Sequence, residues 1–169
     1  MLELAKLDDL DEIMIDIDEV KKLFQARGLR TWPENYPSIE MVMRDIQEER
    51  IYIWRENNRI VGSFMFATNT NDPHYYEVDF HYTDDPNYGL IHRMNVIPEY
   101  QKRRIEYDML EGIEKVAIDR HISYLRTAIT SDNKMMSKIL ENLGYQKTGE
   151  VSSIDNIIRC GYEKKLVRE

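Results

Sequence analysis

From Asp8 onward, apolar residues recur at Leu10, Ile13, Ile17, Val20 and Phe24, three or four positions apart. That spacing lays one stripe along a helix. Asp8 is placed to accept hydrogen bonds from the first free N–H groups of that helix, and Gly28 to stop it. Leu2 to Ala5, just ahead, predicts a short strand. Pro37 and Ser38 introduce a second helix, with Ile39, Val42, Met43 and Ile46 on its buried side. Two extended segments follow, Ile51 to Arg55 and Arg59 to Ala67, and the intervening Asn57-Asn58 tolerates the positive φ of a tight hairpin. Thr68 to Gly89 is rich in Asn, Asp, Pro and Tyr and predicts a long excursion, with Glu77 to Tyr82 as an extended piece of it.

The pattern sharpens after Gly89. Leu90 to Ile97 predicts a strand whose pairing Pro98 ends. Arg103 to Arg120 predicts a helix striped by Ile105, Met109, Ile113 and Val116. Tyr124 to Ile129 predicts a further strand, and Asp132 to Asn142 a short helix stopped at Gly144. Tyr145 opens the next strand, and Ile157 to Leu166 supplies the last. Strand–helix–strand order in this half, with hairpins at both ends, implies an α/β chain with a mixed sheet covered by helices.

Composition narrows the classes. The 169 residues fit one domain, residues 1–169, and no repeat or linker suggests a boundary. No run reaches the roughly 20 apolar residues of a membrane span, and the N-terminal residues lack the pattern of a secretion signal. The single cysteine, Cys160, forms no internal disulfide, so a cytoplasmic setting is expected. A net charge of −8 repels phosphate backbones and argues against nucleic acid as a partner. The histidines His74, His81, His92 and His121 show no metal-binding spacing, and no metal is expected.

Candidate chemistry concentrates in Val96-Ile97-Pro98-Glu99-Tyr100-Gln101-Lys102-Arg103-Arg104-Ile105-Glu106, where a strand passes through a short loop into a helix. The first N–H groups of such a helix lack partners and, with the helix dipole, suit an anion such as a pyrophosphate. In this segment the chain resembles the Gcn5-related N-acetyltransferase (GNAT) superfamily. Leu90 to Val96 is similar to that family's central strand, and Pro98-Glu99-Tyr100-Gln101 to the turn after it. Asn133, Leu143-Gly144-Tyr145 and Gly149 are similar to its closing signature, and Trp32 to Ser38 to a tract of bacterial members.

The resemblance implies the GNAT fold, a central mixed sheet of about six to seven strands flanked by about four helices. It also implies acetyl-CoA as the acyl donor and a small-molecule or peptide amine as the acceptor; a homodimer is an expectation from family habit. Carried over by position, Met94, Asn95 and Val96 pair with the pantetheine arm. Gln101, Lys102, Arg103, Arg104, Ile105 and Glu106 form the pyrophosphate loop, and Asn133 contacts the arm near the acetyl end.

The loop departs from the family pattern. Arg104 and Glu106 stand where its two glycines belong, and glycine serves there because phosphate approaches the backbone closely. A helical side chain points back toward the N-terminus, so the Glu106 carboxylate can take the anion's place. Lys102, Arg103 and Arg104 either await a polyanion or are neutralised by Glu99, Glu106 and Asp108. The tyrosine that family members use to protonate the leaving thiolate is replaced by Leu140. A thiol of pKa about 8.5 leaves tolerably without it.

No general base is assigned. Glu77, Asp79 and His81 would share a strand face, either as an acceptor pocket or as a solvated surface, with the solvated reading favoured. His92 on the central strand is either such a base or a satisfied structural histidine, with the structural reading favoured. Trp32, Tyr36, Tyr75, Tyr76 and Tyr88 line an acceptor cleft or belong to the peripheral core, and Tyr145 belongs to the core. Two functions follow: acetyl transfer to an amine, or a GNAT-fold binding or regulatory module with an impaired cofactor loop.

Overall fold

The computed structural model describes residues 1–29, 32–68, 80–152 and 157–167, and these form seven strands and four α-helices in the order β1-α1-α2-β2-β3-β4-α3-β5-α4-β6-β7. The strand order in the mixed sheet is β1-β2-β3-β4-β5-β7-β6. The chain divides into two compact units, Met1–Phe66 with His92–Gly112, and Ala67–Ile91 with Ile113–Glu169.

In the first unit, β1 (Leu2–Leu4) pairs antiparallel with β2 (Ile51–Glu56), and β2 with β3 (Arg59–Thr68). Asn57 and Asn58 join β2 to β3 at φ 48 and 65, the left-handed pair a tight hairpin needs. Helix α1 (Leu10–Ala26) follows a single 3-10 turn over Leu7–Asp9. The expected cap, Asp8, falls inside that turn. Asp9 caps the turn instead, accepting from the Lys6 N–H at 2.8 Å.

Helix α2 (Ile39–Gln47) begins at Ser38, whose Oγ accepts from the Met41 N–H at 3.2 Å. Its buried face is Val42, Asp45 and Ile46, whereas Ile39 and Met43 are exposed. The expected stripe is therefore rotated, because Asp45 is drawn inward by a cation described below. Ile13, Ile17, Val20, Ile53, Ile60, Val61 and Phe64 fill the core, and Tyr52 stacks on Phe64 at 5.6 Å. Burying each such side chain contributes about 1.5–3 kcal/mol.

Strand β4 (Tyr88–Val96) and helix α3 (Ile105–Asp119) run through both units. The helix starts two residues later than its apolar stripe predicts, since Arg104 lies at φ 68, outside helical space. In the second unit, β4 pairs in parallel with β5 (Tyr124–Thr130) from Tyr88↔Tyr124 to Ile91↔Thr127. Strand β7 (Ile158–Lys165) pairs antiparallel with β5 and with β6 (Gln146–Ser152). Helix α4 (Lys134–Asn142) is capped by Asn133 and followed by Gly144 at φ 86.

Glu77 and Asp79 lie outside the described residues, and Phe80 to Tyr82 is not a strand. His81 is left-handed at φ 58, which breaks the alternation that would put it on a shared face. Phe80 is seated against bare backbone instead: a Cβ at Gly161 would lie 2.5 Å from the Phe80 Cβ. Arg126 holds the segment after it. Its guanidinium lies over the rings of Tyr82 and Tyr88 at 5.1 and 4.0 Å. It also donates to Glu163 Oε2 at 2.7 Å and to the carbonyls of Thr83 and Asp85.

One buried group of the first unit links stability to pH. Asp16, in the stripe of α1, is 3% exposed, and its Oδ2 has no hydrogen-bond partner. Burial raises its carboxyl to about 7; the Arg59 charge opposes the shift, and Glu12, Glu19 and Glu99 add to it. Between about pH 4 and 7 the folded chain holds a proton that the unfolded chain releases, so stability falls as pH rises through that window. The melting temperature of the wild type should therefore drop from about pH 5 to about pH 8 more steeply than that of Asp16→Asn. Parallel slopes in a thermal-melt series would contradict the assignment.

Candidate active site

The first unit assembles the strand end, the loop and the helix start that carry most of the expected site. A 3-10 turn, Pro98–Tyr100, follows β4, and the Ile97 N–H anchors to the Val61 carbonyl at 2.9 Å. Gln101 closes the loop onto the strand, its Nε2 donating to the Val96 carbonyl at 2.9 Å. The Gln101 Oε1 accepts from Arg27 Nη1 at 3.4 Å, tying the end of α1 to the same loop.

Lys102 and Arg104 are both left-handed, at φ 63 and 68. Arg104 thus adopts the backbone conformation glycine favours, although a residue with a Cβ does so at a cost of about 1–2 kcal/mol. Its bulk does not enter the loop. The guanidinium runs along α3 to Glu111 at 3.0 Å and Asp108 at 3.5 Å and lies over the Tyr107 ring at 5.2 Å. Arg103 lies over the Tyr100 ring at 4.7 Å, and Lys102 is exposed. Glu99 sits 3.8 Å from Arg59, apart from the cluster it was expected to neutralise.

Glu106 turns inward. It is 5% exposed, and burial raises its carboxyl above the ordinary glutamate range, against the hydrogen bond it takes from its own backbone N–H. The first intrahelical bond of α3 runs from the Asp108 N–H to the Arg104 carbonyl. The N–H groups before it have no partner carbonyl within the helix, and the Glu106 carboxyl addresses its own.

On β4, Met94 is half-buried while Asn95 and Val96 are buried. Arg93, just ahead of them, is left-handed at φ 57. Its guanidinium pairs with the Asp45 carboxylate of α2 and lies 6.0 Å from the Tyr36 ring centre. The Asn95 Nδ2 donates to the Arg93 carbonyl at 3.0 Å, the Ser63 carbonyl at 3.1 Å and Ser63 Oγ at 2.9 Å. Arg93 Nη1 and Asn95 Oδ1 are buried without partners. Sequence reasoning missed this network, although an aspartate inside the apolar stripe of α2 was its visible trace.

The other expected residues are placed as follows. Asn133 lies in the second unit, where its Oδ1 caps α4 by accepting from the Met136 N–H at 3.2 Å. Leu140 is buried on α4, and Tyr162 of β7 reaches that helix, its hydroxyl 2.6 Å from Ser137 Oγ. Nothing in the spacing of β7 foretold that contact. His92 is lowered to about 3 by burial and the Arg93 charge, too weak a base to take a proton from an amine. Trp32 packs edge-on against Phe24 at 5.8 Å, and Tyr145 is buried core. Tyr75 and Tyr76 lie outside the described residues.

The loop, its left-handed residues and the helix start thus lie together at one end of β4, and comparison with known proteins gives the family. A model of the acetyltransferase (GNAT) family matches residues 17–145, so the chain belongs to that family and is an acyltransferase enzyme. A search of curated protein sequences gives no match. Among solved structures, a GNAT-family acetyltransferase from Streptococcus agalactiae is 22% identical, with TM-score 0.84 over 100% of this chain and 96% of that one. One from Listeria monocytogenes is 14% identical, with TM-score 0.78 over 98% and 94%. The ribosomal-protein-S18-alanine N-acetyltransferase of Escherichia coli is 12% identical, with TM-score 0.72 over 100% and 95%.

A carboxyl-carbon NMR titration should place the Glu106 midpoint above the ordinary glutamate value of about 4.3. The resonance is identified by its loss in Glu106→Gln. A midpoint at or below that value would mean the side chain is solvated rather than folded into the start of α3.

Proposed function

We propose that the protein transfers the acetyl group of acetyl-CoA to the amine of a small molecule or peptide. The observation that carries this reading is the loop Gln101 to Arg104, which holds left-handed Lys102 and Arg104 without glycine and turns the Arg104 side chain away along α3. A pyrophosphate approaching the first turn of α3 meets the N-terminal end of the helix dipole and the exposed Lys102. Glu106 is the one feature that competes with it. Burial raises its carboxyl, so its negative charge is held less firmly there than in solvent.

Met94, Asn95 and Val96 then offer backbone groups to the pantetheine arm. N–H groups of β4 stabilise negative charge on the thioester oxygen as it forms. The neutral amine nitrogen attacks the carbonyl carbon and the C–S bond breaks. The amine proton passes to solvent or a base, and the sulfur leaves as thiolate and is protonated. Leu140 supplies no acid for that last step, so it falls to water or another group. The acidic surface suits a cationic acceptor and disfavours nucleic acid. A buried lone thiol at Cys160 suits a reducing, cytoplasmic setting.

The test is calorimetric titration with acetyl-CoA. Wild type should bind, and Glu106→Gly should bind roughly tenfold more tightly, the equivalent of about 1.4 kcal/mol. The affinity ratio of Glu106→Gln to wild type should shrink as pH falls and Glu106 takes up its proton. Tight binding by the glycine variant with none by wild type would favour a regulatory module whose pocket is blocked. No binding by either would remove the donor assignment.

A further inference from the structure

We propose that Asp45, Asn95 and Ser63 are positioning residues that hold Arg93 in its left-handed conformation, and so fix where β4 presents its backbone N–H groups to the thioester. This rests on the donor reading above and deepens it. Of the described residues with positive φ, Arg93 alone lies inside a strand; the others sit in turns, loops and helix ends. A residue with a Cβ does not keep such a conformation in the middle of a strand unless its surroundings impose it.

The surroundings do impose it, from both ends of the residue. The side chain is drawn to α2 by the Asp45 carboxylate. The carbonyl is held by Asn95 Nδ2 at 3.0 Å, and the same amide nitrogen is anchored to β3 through Ser63 Oγ at 2.9 Å and the Ser63 carbonyl at 3.1 Å. All of the Asn95 amide donors therefore point at acceptors, which sets the orientation of that side chain.

Stability alone does not account for this network. A buried ion pair is weak evidence for stability, since well-packed apolar residues of the same volume often serve as well or better. This one also leaves Arg93 Nη1 and Asn95 Oδ1 buried without partners, a state that native interiors avoid. What the network achieves is a defined backbone turn directly before Met94, the first residue of the run expected to meet the donor. A left-handed residue rotates the peptide that follows it out of the regular ladder pattern, so a small slip at Arg93 re-aims every N–H after it. Oriented donors are worth most when they require no rearrangement as charge develops.

The experiment reads the carbonyl itself. Acetyl-CoA carrying carbon-13 at the thioester carbonyl is bound at saturation, verified by calorimetry, to wild type, Asp45→Asn, Asn95→Ala and Ser63→Ala. Difference infrared spectra are then recorded with no acceptor present. In wild type the carbonyl stretch should move to lower frequency than for acetyl-CoA in buffer. In Asp45→Asn and Asn95→Ala it should move back toward the free position, and in Asp45→Asn, which lies outside the residues that meet the donor, acetyl-CoA affinity should change less than about threefold. Should either variant fail to fold, Ser63→Ala removes only one of the bonds that anchor Asn95 and reads the same band.

Variants whose melting temperature falls while the bound carbonyl stays at the wild-type frequency would overturn the proposal, because the network would then be structural only. A wild-type complex with no displaced band would overturn it too. Absence of calorimetric binding by wild type is a different failure, that of the donor reading itself, and is seen before any spectrum is taken.

Discussion

An α-helix leaves its first N–H groups without partners, and the start of α3 sets that deficit one short loop beyond the end of β4. The local sequence around it follows from this imbalance. Gln101 ties the loop back to Val96, Arg104 is turned outward to Glu111, and Glu106 folds its carboxyl back to its own N–H. A carboxylate so placed satisfies the helix at the expense of its own solvation, which is why burial raises it.

Among the described residues, two buried arginine–carboxylate pairs differ in how completely the guanidinium is bonded. Arg126 meets Glu163, two backbone carbonyls and the faces of two tyrosines, and none of its nitrogens is left buried and unpartnered. It is a staple that fastens the segment after Phe80. Arg93 has one carboxylate, one aromatic face and an idle nitrogen. Similar chemistry therefore serves different ends in the two units, and the completeness of the hydrogen bonding distinguishes them.

Periodicity made the elements legible because most of them bury one face. The stripe of Ile105, Met109, Ile113 and Val116 located α3, and Asn57-Asn58 located the first hairpin. Where the reading slipped, a polar residue occupied an apolar position for a tertiary reason. Asp45 rotated the apparent face of α2, because its partner Arg93 lies 48 residues on in the chain. The piece around His81 read as a strand from alternation alone, but the glycines of β6 and β7 that seat Phe80 cannot be related to it by spacing. The loop residues were legible through resemblance, while the direction of each side chain was not. Arg104 and Glu106 stand at equivalent glycine positions, yet one is expelled and the other folded in, a choice made by the backbone φ at 104 and by the acidic residues along α3.

Lys102 and Arg104 occupy left-handed positions that many chains would give to glycine, and this has a kinetic side. A glycine loop samples many shapes and closes on its ligand late. Side-chain-bearing residues sample few, and the left-handed shape adopted here is a strained one that the folded surroundings hold in place. Preorganisation of this kind shifts the entropic burden from the moment of capture to the moment of folding. On the donor reading proposed above, such a loop meets a dinucleotide-like ligand as a rigid rim, with selectivity by charge at the rim rather than by wrapping around the guest.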